Sequence, residues 1–299
     1  MPTQKVTKAV IAAAGFGTRF LPQTKAIPKE MLPLIDKPII QYVVEELVNA
    51  GIQDIIIVGS SNKRAIEDHF DLPNSDLVEN LNAGGKAELL EEVKSIANLA
   101  NFIYLRQKGP YGNATPLLSA AHLLGDAPFI YAFADDFIVA NPKSRFQQMI
   151  DIYEQRGGSV LSCIKLTEEA QYKRYGVVAG EDQQDGTIRM STIVEKPGRE
   201  NAPSDLASVS SYLLEPEILQ HIEQAAAEFN GEGELMIQPA MQVMINQGQN
   251  FWATEIQNGR YYDTGNKLEY IKTIIDFALN NEKLGPNVRT YLEKRLSSQ

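Results

Sequence analysis

One cysteine, one tryptophan and three histidines are all that 299 residues supply of those types. The lone Cys163 excludes an internal disulfide framework and fits a reducing cytosol. His69, His122 and His221 fall on helix-like segments without ligand spacing, so a zinc site is not expected. No Gly-x-Ser-x-Gly elbow is present, which removes the usual nucleophile of a hydrolase triad. Long apolar runs are missing too. None approaches the ~18 residues a membrane span needs, and Met1-Pro-Thr-Gln-Lys leads into a strand-like segment without a signal core. The chain is therefore expected to be cytoplasmic. Cations are in deficit, with 28 Lys+Arg against 38 Asp+Glu and a net charge of −10. A nucleic-acid groove driven by phosphate neutralisation is excluded on that balance. An anionic substrate would have to be held by a few local cations.

What remains is an ordinary globular composition, 43% hydrophobic and 22% charged. The length suits two domains or one large α/β unit. Lys8 to Ala14 is a short apolar run ending in glycine and reads as a buried strand. From Pro38 to Ala50 the residues Ile39, Ile40, Val43, Val44, Leu47 and Val48 recur at helical spacing, and Gly51 is a plausible stop. Ile55 to Gly59 is a second buried strand, followed by a helix-like stretch from Asn62 to Phe70. Strand, helix, strand in this order predicts a right-handed parallel unit covered on both faces. Further strands are expected at Phe102–Arg106, Phe129–Ala134 and Ser159–Leu166, and helices at Glu88–Ile96, Pro116–Leu124 and Ser144–Gln155. After Leu166 the pattern becomes β-rich, with segments at Gly176–Ala179, Ile188–Glu195 and Ala207–Leu214. Helices at Pro216–Glu228 and Met236–Gln247, a strand near Phe251–Ile256, a helix over Asn266–Asn280 and a charged tail helix complete the expectation.

The segment from Ala12 to Pro33 carries the strongest chemistry. It follows the first strand, at the ligand-binding edge of a parallel sheet. Gly15 and Gly17 allow backbone amides to approach a phosphate. Phe20, Pro22 and Pro28 stand where a dinucleotide fingerprint needs a third glycine and a helix, and Gly-Lys-Ser/Thr is absent. Arg19, Lys25 and Lys29 follow instead, on a loop that the prolines hold away from helix. Asp135-Asp136 ends a buried strand, where carboxylates can hold Mg²⁺ against phosphate oxygens or serve only as turn residues. Asp263 is a second candidate ligand, or else the N-cap of the helix that follows. Glu195-Lys196 suits a sugar phosphate, ammonium to phosphate and carboxylate to hydroxyls, or is a solvated pair at a strand end. Glu234 offers a further carboxylate. Cys163, Met236, Met241 and Met244 read as packing residues.

The ordered set Ala13-Ala-Gly-Phe-Gly-Thr-Arg19, Thr24-Lys-Ala-Ile-Pro-Lys-Glu-Met-Leu-Pro33, Asp36-Lys-Pro-Ile-Ile-Gln-Tyr42, Asn62 to Asp71, Arg106-Gln-Lys108, Tyr175-Gly-Val, Val194-Glu-Lys-Pro197 and Tyr262-Asp-Thr-Gly265 resembles the bacterial UTP–glucose-1-phosphate uridylyltransferases, within the sugar-nucleotidyltransferase superfamily. The resemblance spans about residues 8 to 275. It implies an α/β fold, Rossmann-like and glycosyltransferase-A-like, with a mostly parallel sheet, a β-rich sugar-binding region and C-terminal helices. Residues 6–140 would form the nucleotide half, 141–265 the sugar half and 266–299 the terminal helices. The implied reaction joins UTP and glucose 1-phosphate to give UDP-glucose and pyrophosphate, with Mg²⁺.

By the same resemblance Arg19 and Lys29 would hold the triphosphate, while Ala13, Ala14, Gly15, Gly17 and Thr18 line it with backbone. Gln107 and Gly112 would read the uracil. Asp135 and Asp263 would hold Mg²⁺, Lys196 the sugar phosphate, and Gly176, Glu195 and Glu234 the sugar. A homodimer or homotetramer is implied, with no nucleic-acid or membrane partner. The chain departs from the family pattern at Ala114, Asp205, Ser210-Ser211 and around Gln238. A family glycine at 114 would make alanine there strained if φ must be positive. Three alternatives follow: another sugar 1-phosphate or dTTP as substrate, a non-catalytic nucleotide-sugar-binding paralogue, and, last, a nicotinamide-dependent oxidoreductase.

Overall fold

The computed structural model describes residues 3–298, apart from the side chain of Ser210. The chain runs β1 (Lys8–Ala12), three short 3-10 turns (Thr18–Phe20, Gln23–Lys25, Lys29–Met31), the ribbon β2 (Pro33–Leu34) and β3 (Lys37–Pro38), then α1 (Ile39–Asn49) and β4 (Asp54–Gly59). Next come α2 (Arg64–His69), α3 (Ser75–Ala83), α4 (Ala87–Ala97), β5 (Asn101–Arg106), α5 (Thr115–Leu124), β6 (Phe129–Phe133) and β7 (Asp136–Ala140). The second half holds α6 (Arg145–Arg156), β8 (Ser159–Lys165), β9 (Gly176–Asp182), β10 (Thr187–Glu195), β11 (Leu206–Leu214), α7 (Ile218–Glu228), α8 (Gln238–Asn246), β12 (Phe251–Glu255), β13 (Gly259–Asp263), α9 (Lys267–Asn280) and α10 (Gly285–Ser297).

One nine-stranded sheet, ordered β5-β4-β1-β6-β11-β8-β12-β10-β9, passes through both halves. The expected parallel core is the run β5-β4-β1-β6. Beyond it β11 enters antiparallel to β6 and β8, and among the remaining neighbours only β12 and β8 are parallel. The sheet is thus mixed, parallel along β5-β4-β1-β6 and at the β8–β12 pair and antiparallel elsewhere. β1 shows why that part is buried on both sides. Ala9 and Ile11 join the apolar layer of α1 and α6, and Val10 joins the layer of α5, α7 and α8 on the other face.

Three elements escape the hydrophobic pattern. α3 buries only Leu81, so its sequence lacks a clear apolar stripe. β7 and β13 form a separate antiparallel ribbon whose sequences open on Asp136 and Gly259. Met241 and Met244 are core residues, as expected. Ser210 itself lies outside the described side chains, and its neighbour Ser211 is buried, with its Oγ 3.1 Å from that of Ser162.

Candidate active site

In the parallel run Ala12 is level with Val58 and with Phe133, so the loops after β1, β4 and β6 meet at one edge. Gly17 takes the left-handed conformation (φ 63°), which a side chain would strain. A Cβ there would also lie 3.0 Å from the Cβ of Lys29. Thr24 Oγ1 donates to the Gly17 carbonyl at 2.7 Å and fixes the turn. Behind it, Lys63 Nζ donates to the Gly15 carbonyl (2.6 Å) and pairs with Glu30 (2.7 Å). Lys63 is 3% exposed and Glu30 fully buried. Burial pushes the Glu30 carboxyl up and the Lys63 ammonium down, each opposed by its partner.

Lys29, next to Glu30, donates to Asp135 Oδ2 at 2.5 Å. Burial alone would lower the Lys29 pKa, but Asp135, Glu30 and Asp136 outweigh it and leave it raised. Thr264 anchors the Asp135 carbonyl through its hydroxyl and its N–H. The β7–β13 ribbon registers Asp263 against Asp136. Between these carboxylates sits Gly265. A Cβ on it would lie 3.2 Å from Asp263 Oδ1 and 3.3 Å from both Asp135 Oδ2 and Arg19 Nη1. Arg19 Nη1 donates to the Gly265 carbonyl at 3.2 Å, drawing the first loop to the end of the chain's last ribbon.

Asp263 does not cap α9: it accepts from the Gly265 N–H (3.0 Å) and pairs with Arg174, and Asn266 is the cap. Asp136 accepts from the Tyr261 hydroxyl at 3.1 Å. Its carboxyl is pushed up to about 7 by burial and by Asp135, against the Arg145 guanidinium.

Arg19, Asp135, Asp136, Arg174, Lys196 and Asp263 line one cleft of about 380 Å³. A smaller cavity of about 190 Å³ adjoins it, walled in part by Asn113, Gly176, Glu195, Ser208, Met236 and Gln238. The two share Asp136, Arg174, Tyr175 and Tyr261. Gly176 is registered against Glu195, and a Cβ on it would meet the Glu195 carboxylate at 3.1 Å. Lys196 has φ 47°, donates its N–H to the Tyr175 carbonyl and places Nζ 3.4 Å from Glu195 Oε1.

The strain expected at Ala114 and the core position expected of Met236 are corrected, and the other candidate residues are placed as follows. Ala114 has φ −86° as the residue before α5 and is unstrained. Its N–H donates to the Leu235 carbonyl at 3.0 Å, and Gly112 lies so close to Leu235 that a Cβ would sit 2.1 Å from the same oxygen. The Ala13 N–H is already spent on the Val58 carbonyl (2.9 Å), so it is not among the loop N–H groups that can face a phosphate. Lys25 and Thr18 are exposed. Gln107 is half-buried, extends the β5–β4 ladder through Gly59 and joins neither cavity wall. Glu234 is exposed and joins neither. Asp205 pairs with Lys165 at the surface (3.4 Å). Met236, expected in the core, lines the smaller cavity.

Sequence reasoning gave no role to Arg174, Tyr261 or Lys63. Arg174 precedes the Tyr175-Gly-Val segment, and that position beside a matched motif was the available signal.

Two carboxylates flanking a glycine, with an unpartnered buried Asp136 Oδ1 beside them, fit an ion that takes one or two carboxylates and completes its shell from phosphate and water. Among the described residues no group of three or more His, Cys, Asp or Glu is arranged to hold a metal by protein ligands alone.

Residues 8–278 match the nucleotidyl transferase family model. The UTP–glucose-1-phosphate uridylyltransferase of Bacillus subtilis is 41% identical over 296 residues, covering 99% of each chain. The chain belongs to this family. A uridylyltransferase of Staphylococcus saprophyticus is also 41% identical, over 97% of this chain and 98% of its own. Among solved structures, a UTP-bound UGPase from Acinetobacter baumannii superposes with TM-score 0.88 at 32% identity, covering 96% of this chain and 99% of its own. A UDP-glucose pyrophosphorylase complexed with UDP-glucose gives 0.79 at 34%, covering 91% and 98%. The family assignment agrees with the mixed α/β fold and its C-terminal helices. Among the described residues no helix is long and apolar enough to cross a membrane.

Proposed function

We propose that the protein transfers the uridylyl group of UTP to glucose 1-phosphate, giving UDP-glucose and pyrophosphate. The observation that carries this reading is the convergence of Arg19, Asp135, Asp263 and Lys196, from four segments far apart in the chain, on one cleft. Relatives named for this reaction match nearly end to end, and neighbours solved with UTP and with UDP-glucose share the fold.

The sugar phosphate oxygen attacks the α-phosphorus in line and pyrophosphate leaves. No protein nucleophile is needed; positioning and charge cancellation suffice. Arg19 and Lys29 take the charge of the triphosphate and of the departing pyrophosphate. Ala14, Gly15, Gly17 and Thr18 shape the backbone that approaches it, with Ala13 holding the strand end. Gln107 and Gly112, on the loop after β5 and outside the two cavities, are the residues that would read the base. Lys196 holds the sugar phosphate, and Gly176 and Glu195 face the sugar. Asp135 and Asp263 are the residues that would hold Mg²⁺, which when bound supplies neutralisation of phosphate oxygens. Lys29 pairs with Asp135 and Arg174 with Asp263, so each carboxylate has a cation beside it.

In this reading residues 6–140 serve the nucleotide, 141–265 the sugar, and 266–299 form the terminal helices. Leu268, Ile271 and Ile275 expose an apolar stripe on α9, which supports a homodimer or homotetramer. The buried free thiol of Cys163 suits a cytoplasmic setting.

The test is pyrophosphate release from purified protein with Mg²⁺ and UTP, with and without glucose 1-phosphate. Rapid sugar-dependent release supports the reading. Silence with glucose 1-phosphate from folded protein removes it.

A further inference from the structure

The smaller cavity holds buried polar atoms that nothing in the protein satisfies. Gln238 Oε1, Asp136 Oδ1 and Ser208 Oγ all line it, are buried and have no hydrogen-bond partner, with only the Tyr212 hydroxyl beside Ser208. Leaving such an atom dry costs about 1–3 kcal/mol, so orphans gathered around one space are read as a site awaiting polar atoms.

The fold aims them there. β11 slips register against β8 between Ser208 and Tyr212, a bulge of the kind that redirects side chains beside active sites. Ser208 is then level with Gly176 on β9, which is itself level with Glu195 on β10. One row across three strands thus makes the floor, with Gln238 at the start of α8 and Asp136 at the cleft end. Gly176 keeps the row open, since a Cβ there would lie 3.0 Å from Ile193 Cδ1 and 3.1 Å from Glu195 Oε2 and press both side chains aside.

We propose that Gln238 and Ser208 set the sugar specificity of this chain, Gln238 Oε1 accepting a hydrogen bond from a pyranose hydroxyl of an underivatised hexose 1-phosphate and Ser208 bonding a second. The inference rests on the uridylyl-transfer reading of the adjoining cleft. It assigns roles to two side chains that the reaction itself does not require.

The experiment measures kcat/KM for glucose 1-phosphate and for its monodeoxy analogues in the native protein and in Gln238→Leu, with KM for UTP as the control for folding. The native protein is expected to lose about tenfold to hundredfold with the analogue lacking the hydroxyl that Gln238 reads. Gln238→Leu should lose a similar factor with the parent sugar and nothing further with that analogue, at unchanged KM for UTP. Should Gln238→Leu not fold, Ser208→Ala supplies the same comparison. A variant that keeps native kcat/KM, or that still suffers the full penalty with every analogue, overturns the proposal. Native protein inactive with every hexose 1-phosphate overturns the underlying transfer reading, and a failed specificity pattern in an active enzyme overturns this inference alone.

Discussion

The two ends of the cleft are built on opposite terms. At the end proposed for the nucleotide the charges are tied to one another within the protein: buried Lys63 to Glu30 and to the Gly15 carbonyl, and half-buried Lys29 to Asp135. At the end proposed for the sugar the half-buried Gln238 turns a buried, unpartnered Oε1 to the cavity, and Ser208 Oγ beside it has only the Tyr212 hydroxyl nearby. A triphosphate presents the same charge pattern in every substrate, so its loop can be fixed in advance. Sugars differ in the placement of their hydroxyls, and discrimination comes from groups that are satisfied only when the right one is bound.

Breaking the buried pair should have the largest effect. Lys63→Met takes the ion-pair partner from the buried Glu30 carboxyl and is expected to cost about 3–5 kcal/mol, read by urea denaturation. Adding Glu30→Leu should recover most of that loss, because two apolar side chains replace the pair without an orphaned charge. A single variant as stable as the native protein would show that the loop does not depend on the pair.

Lys196→Ala tests the other side. The ammonium is exposed in the cleft, so stability should hold while kcat falls about 10²–10³-fold with UTP affinity unchanged. Near-normal kcat would remove Lys196 from its role. Gly17→Ala sharpens the claim of a fixed loop: alanine at φ 63°, against Lys29 and Thr24, should cost about 1–2 kcal/mol and raise KM for UTP. An unchanged melting temperature and KM would show that the turn is free to reshape. Smallest of all is Asp205→Asn. Its ion pair with Lys165 is half-exposed, so the change should be under about 0.5 kcal/mol with no shift in sugar preference. A changed sugar preference would move the specificity site to the surface.

The same contrast governs what the sequence discloses. Buried strands such as β1, β4 and β6 are continuous apolar runs, and the loop after β1 announces itself through glycines, prolines and cations at a strand end. The ribbon of β7 and β13 opens on Asp136 and Gly259 and offers no such run, although it is what sets Asp263 against Asp136. Arg174 reaches Asp263 across 89 positions of chain, a contact that no local spacing encodes. Gln238 was visible only as a departure from the family pattern, since an unpartnered amide is a property of packing. Ala114 shows the reverse: a glycine elsewhere suggested strain that the backbone at φ −86° does not have.

The central claim is that two anions are positioned so that one attacks the other, with no group of the protein bonded to the nucleotide on the way. The most direct test follows the configuration at the α-phosphorus, using UTP made chiral there with sulfur. A single displacement predicts that the UDP-sugar product has inverted configuration at that phosphorus. Retention would require two displacements through a covalent nucleotidyl-protein intermediate and would contradict the account.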